Sequence, residues 1–134
     1  MSSAPLKAVE ISAFSNQLDD LRDPVRVVVM VAIENILLEQ GMGLANGNWL
    51  KYVGGGVWEF RIGKSVKAVH SKAGFPSNKQ LSNFSLLIRI FCGFEDGVVV
   101  LLGCYDKQRF SSGNRQSAAI DAAKQKLLTY RRRS

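Results

Sequence analysis

Histidine, cysteine and proline are scarce in this chain, with one His, two Cys and three Pro among 134 residues. Cys92 and Cys104 stand alone on apolar stretches with no CxxC and no second pair, which excludes a disulfide framework and a thiolate zinc site. Both are expected to be buried thiols. The single histidine, His70, falls in a polar stretch and is expected to face solvent rather than act in catalysis. No Asp/Glu/His cluster is evident in the sequence, so neither a metal centre nor a cofactor is expected. Long hydrophobic runs are missing too. The longest strongly apolar one, Val27 to Ile33, falls far short of the roughly 20 residues that cross a bilayer, and the start of the chain lacks the basic and apolar segments of a secretory signal. No membrane association and a cytoplasmic location are the resulting expectations.

Acidic side chains are nearly absent from one end. Residues 107–134 hold eight of the 18 basic residues and one of the 11 acidic ones, leaving ten of each sign in the rest of the chain. The whole formal excess of +7 therefore sits in that stretch. Clustered Lys and Arg release counterions from phosphates and steer association, so the asymmetry implies a polyanionic partner. The plainer alternative is a solvated basic tail.

What is present suffices for one domain. With 46% hydrophobic and 22% charged residues, the chain can bury a core. Leu6 to Ile11 can form a strand, after a loose start over residues 1–5. Ser12 can cap a short helix carrying Phe14, Leu18 and Leu21 on one face. Asp23-Pro24 reads as an N-cap followed by proline at the first helical position, opening a helix that runs to Gln40 and stops at Gly41. Val27, Met30, Val31 and Leu38 widen its apolar surface beyond a single stripe, so it is buried on two sides or covered by a partner. Residues from Gly41 read as loop, and Gly54-Gly55-Gly56 as a turn rather than a phosphate cradle, because no P-loop helix follows. Val57 to Ile62 is a strand. Residues 64–83 read as one long mobile connection. Leu86 to Phe94 and Val98 to Tyr105 form a hairpin around Glu95-Asp96-Gly97. With Asp96-Gly97 as its two-residue loop, Arg89 lies opposite Cys104 and shares a face with Asp106. An arginine inside Leu87-Ile88-Arg89-Ile90-Phe91 needs water, a carboxylate or a phosphate for its charge. Asp106 and Glu59 are the structural candidates and a bound phosphate the functional one. Ser117 to Tyr130 is a helix with Ile120, Ala123, Leu127 and Tyr130 along its docking face.

Three segments carry a resemblance: Gly55-Gly56-Val57-Trp58-Glu59-Phe60-Arg61, the arginine-bearing strand around Arg89, and Leu101-Leu102-Gly103-Cys104-Tyr105-Asp106-Lys107-Gln108-Arg109. Together with the alanine-rich helix that follows, they resemble the RelE/ParE toxin superfamily, most closely its HigB-like, phage-derived branch. The resemblance covers the C-terminal part of the chain. Two features depart from that pattern: no Thr-Pro follows the last strand, and the connection after Ile62 is longer than usual.

The resemblance implies a single α+β domain, RelE-like, with an N-terminal strand and helical hairpin packed on an antiparallel sheet beside a C-terminal helix. It implies a toxin that cleaves messenger RNA in the ribosomal decoding site, is neutralised by a helix-turn-helix antitoxin, and meets DNA only through that antitoxin complex. RNA supplies its own nucleophile, the 2′-hydroxyl, so the protein aligns it, stabilises the phosphorane and handles two protons. Arg89 is expected to carry transition-state charge and Tyr105 to stack on a base or hold a proton. Asp106 would act as base, with Lys107 or Arg109 facing the leaving group. Arg61, Arg115, Lys124, Arg131, Arg132 and Arg133 would hold RNA. For Arg61 and Tyr105, completing the sheet surface is an alternative role. A ParE-like gyrase inhibitor of the same fold, or a phage or plasmid binding protein without turnover, are the competing functions.

Overall fold

The computed structural model describes residues 6–63, 69, 71–72, 74, 86–109 and 113–133. The expectations for residues 1–5, for His70, and for most of the 64–83 connection lie outside them. Within that connection, Val69 is fully buried in the core.

The chain opens with β1 (Lys7–Glu10) and α1 (Ser12–Asp19). Next come α2 (Asp23–Ala32), a π-helical turn over Ile33–Leu37, and the short α3 (Leu38–Gln40). Gly41, at φ +49°, ends this helical run as the sequence suggests and leads into a 3-10 turn over Gly41–Asn46. The caps differ from expectation by one residue. Ile11 and Arg22 occupy the N-cap positions with extended backbones, and neither Ser12 nor Asp23 bonds a helix-start amide. Asp23 instead pairs with Arg26 one turn on, so its carboxylate serves a side chain while still sitting favourably at the positive end of the helix. The helical stretch Asp23–Asn46, 24 residues, is long and apolar enough by length and composition to cross a membrane. Here Val25, Val28, Val29, Ala32, Ile33, Ile36 and Leu37 are buried against the sheet, and a core helix passes that same test.

Five strands form one mixed sheet in the order β1-β5-β4-β3-β2. β2 (Leu50–Gly54) lies inside the stretch read as loop, and it pairs with β3 (Val57–Ile62) through a turn in which Gly54, Gly55 and Gly56 all have positive φ. Only glycine accepts that geometry without strain. β4 (Ile88–Glu95) and β5 (Val98–Asp106) make the expected hairpin, with Asp96 and Gly97 both at positive φ. This is the primed turn that suits strand twist. β1 joins the other edge parallel to β5, so the sheet is antiparallel across four strands and not throughout.

The two faces bury different elements. α1, α2 and the π-turn pack with Phe60, Ile62, Ile88, Ile90 and Leu101. The C-terminal helix α4 (Gly113–Arg133) covers Val57, Phe91, Val100 and Leu102 with Ala123 and Leu127. Gly93 permits this close approach, since a Cβ there would stand 2.9 Å from Leu127 Cδ1. Cys92 and Cys104 are free and buried, as the sequence suggested, and burial pushes both thiols up to about 12. They remain protonated at neutral pH and are therefore poor nucleophiles.

Candidate active site

Glu59, Arg61, Arg89 and Tyr105 lie on the sheet face that α4 covers only in part. A β-bulge decides this. From the turn inward, Glu95 pairs with Val98 and Cys92 with Leu101, but the register then shifts between Phe91 and Cys92. Beyond the shift Arg89 opposes Tyr105, and Ile88 opposes Asp106. The expected pairing of Arg89 with Cys104, and its shared face with Asp106, are thus incorrect: one extra residue in β5 moves every later side chain to the opposite face. Because Arg61 opposes Arg89 on β3, three central strands present Arg61, Arg89 and Tyr105 in one row.

Like charges directly across a sheet repel, and a buried guanidinium costs several kcal/mol, on the order of the desolvation of one ion. Glu59 offsets both. Its carboxylate is fully buried, with Oε1 2.7 Å from Arg61 Nε and 3.8 Å from Arg89 Nε. The other oxygen, Oε2, accepts a hydrogen bond from Gln116 Nε2 at 3.1 Å, which ties the start of α4 to the cluster. Arg89 is 9% exposed at its side chain, whereas Arg61 is 33% exposed. Arg89 also donates from Nη1 to the Ile88 carbonyl at 3.2 Å. Burial lowers the Arg89 pKa, opposed by the Glu59 carboxylate and reinforced by Arg61. Two cations against one anion leave the cluster with a net positive charge in a poorly solvated place, where electrostatic contacts are strong.

The Tyr105 ring stacks on Phe91, with centroids 6.0 Å apart and planes 15° apart. Its hydroxyl is buried with no hydrogen-bond partner among the described residues. Burial first, and Glu59 second, raise its pKa, while Arg89 lowers it. At neutral pH Tyr105 is a proton donor.

The remaining sequence candidates are distributed around this row. Asp106 lies on the far face from Arg89, and its Oδ1 accepts the Gln108 N–H at 2.9 Å. It shapes the turn after β5 and is not placed to act as base beside Arg89. Lys107 is half-buried in that turn, its N–H donating to the Leu87 carbonyl at 2.7 Å. Arg109 and Arg115 line a groove with Tyr105, separate from the smaller hollow that Arg61 and Arg89 share with Asn48, Trp49 and Gly63. Lys124 lies across Gly54 and Gly55, and Arg131 reaches Gly56 and pairs with Glu95. These two basic residues therefore brace the β2–β3 turn, while Arg132 and Arg133 are exposed. Among the described residues no three His, Cys, Asp or Glu side chains come together as metal ligands.

Glu59 and Gln116 complete the cluster: Glu59 is the structural partner expected for Arg89 and pairs with it at 3.8 Å, while Gln116 was not among the expected residues. Glu59 was readable. A Glu and an Arg two apart on one strand share a face, and both are charged within an otherwise apolar run. Gln116 was not, because nothing in a polar helix start distinguishes the residue that reaches the sheet. No protein-family model, curated protein or solved structure matches the chain.

Proposed function

We propose that this protein is an RNA-cleaving toxin of the RelE/ParE type, acting on messenger RNA at the ribosome and neutralised by a helix-turn-helix antitoxin. The observation that carries the reading is the row Arg61, Arg89 and Tyr105 on adjacent strands, with the buried Glu59 bonded to Arg61 at 2.7 Å and paired with Arg89 at 3.8 Å. Cleavage by the RNA's own 2′-hydroxyl needs alignment and charge stabilisation above all. Arg89, fixed by its surroundings, suits the charge that develops on the phosphorane; Arg61, more exposed, suits the approaching strand. Tyr105 can donate a hydrogen bond or a proton to the leaving oxygen. The element order of strand, two helices, antiparallel strands and C-terminal helix also supports the reading. Val27 and Met30, 59% and 45% exposed on α2, form the surface to which the antitoxin is assigned.

One observation favours the ParE-like gyrase inhibitor or a binding protein without turnover. The carboxylate expected to act as base, Asp106, is engaged with the backbone on the other face. Pulsed expression in bacterial cells decides between the readings, with RNA ends mapped and plasmid supercoiling followed in parallel. The nuclease reading expects growth arrest with new cuts inside translated transcripts. Intact transcripts with lost supercoiling would establish the gyrase alternative, and normal growth with folded protein the binding one.

A further inference from the structure

A groove of about 570 Å³ runs between α1 and α4 over the last part of β5. It exists because β1 ends early. β1 pairs β5 only as far as Leu101, and beyond that point α1 takes over the edge, where Gln17 Oε1 accepts the Cys104 N–H at 2.8 Å. The α4 wall is built of small side chains, Ala118, Ala119, Ala122 and Ala123, which leave space where larger residues would close the gap. The floor is apolar, with Phe91 and Leu102, and the opposite wall adds Leu21 beside the polar Gln17 and Asp20. The rim is polar, and Arg109, Arg115 and Lys126 outnumber the carboxylates of Asp20 and Asp106. An apolar slot edged by cations matches a ligand that is flat and apolar at one end and anionic at the other, as a nucleotide is.

The groove also has a defined relation to the arginine row. Tyr105 lines it and is the direct cross-strand neighbour of Arg89, and neighbouring strands lie about 4.8 Å apart. A strand whose phosphate rests at Arg89 can therefore place its adjacent nucleotide beyond Tyr105, inside the groove. We propose that the α1–α4 groove is a subsite for one RNA nucleotide, its base against the alanine face of α4 and its phosphate toward Arg109, Arg115 and Lys126. The assignment deepens the RNA-cleaving reading and rests on it for the identity of the strand.

The test is a titration of the full-length protein with adenosine 3′-monophosphate and cytidine 3′-monophosphate, followed by amide chemical shifts, with inorganic phosphate and adenosine as controls. Saturable shifts are expected at Ala119, Ala122 and Tyr105 with both nucleotides. Ala122→Trp fills the groove from an exposed helix position and should weaken binding by tenfold or more. Arg115→Glu, also at an exposed position, should do so by charge reversal, while Lys7→Ala, exposed at the start of β1 and outside the groove lining, should leave it nearly unchanged. In RNA cleavage, Ala122→Trp should raise KM more than it lowers kcat, because the lost contact serves ground state and transition state alike. Equal affinity for inorganic phosphate would show an adventitious anion site and overturn the subsite. So would undiminished nucleotide binding by a folded Ala122→Trp variant. If the wild-type protein cleaves RNA but binds no nucleotide here, the subsite fails and the function stands. If nucleotides bind as described but RNA stays intact, the groove stands and the nuclease reading fails.

Discussion

Arg89→Ala is expected to lower RNA cleavage on the order of a hundredfold or more while leaving a folded protein, a loss typical of removing one preorganised charge from a transition state. Its side chain is 9% exposed, neighbours Arg61 and Tyr105 across the strands, and bonds the Ile88 carbonyl. Little reorganisation is then needed when charge develops. The fold should survive because Glu59 keeps its shorter contact to Arg61 at 2.7 Å and its hydrogen bond from Gln116. The partner lost stands 3.8 Å away. A cost of about 1–3 kcal/mol is expected for the polar contacts removed. Arg89→Lys keeps a charge but loses the planar fork, so it should recover cleavage only partly. Cleavage rates and circular dichroism on the same preparations check this. A folded Arg89→Ala variant that cleaves at the wild-type rate would remove Arg89 from the site.

Glu59→Leu should have the largest effect on stability, about 3–5 kcal/mol by analogy with breaking other buried ion pairs. Without the carboxylate, Arg89 remains buried opposite Arg61 with no other carboxylate paired to it among the described residues, and Gln116 loses its acceptor. The double variant Glu59→Leu/Arg89→Leu should recover much of that loss, since apolar replacement of a buried pair is often neutral or better. Urea denaturation of the single and double variants measures both. If Glu59→Leu matches the wild type, the carboxylate does not organise the arginines.

Much of this arrangement is legible in the chain. The Asp96-Gly97 hairpin, the glycine turn at Gly54-Gly55-Gly56, the buried thiols and the docking face of α4 all follow from local rules of turn chemistry and periodicity. Charged residues inside apolar strands mark Glu59, Arg61 and Arg89. What escapes is non-local. β2 hides behind a glycine- and asparagine-rich approach, because Leu50–Gly54 is an edge strand with little alternation to betray it. The parallel docking of β1 depends on a partner strand near the other end of the chain. The bulge opposite Phe91 and Cys92 has the sharpest consequence. No residue type announces it, yet it exchanges Asp106 for Tyr105 beside Arg89 and so changes which side chain can take part in the chemistry.

The most direct measurement is single-turnover cleavage of an mRNA held on programmed ribosomes by the purified protein, with the chemistry of the new ends determined. A nucleophile supplied by the RNA itself predicts cuts in the decoding site that end in a 2′,3′-cyclic phosphate or the 3′-phosphate derived from it. Intact mRNA, or cuts that leave a 3′-hydroxyl, would contradict the account.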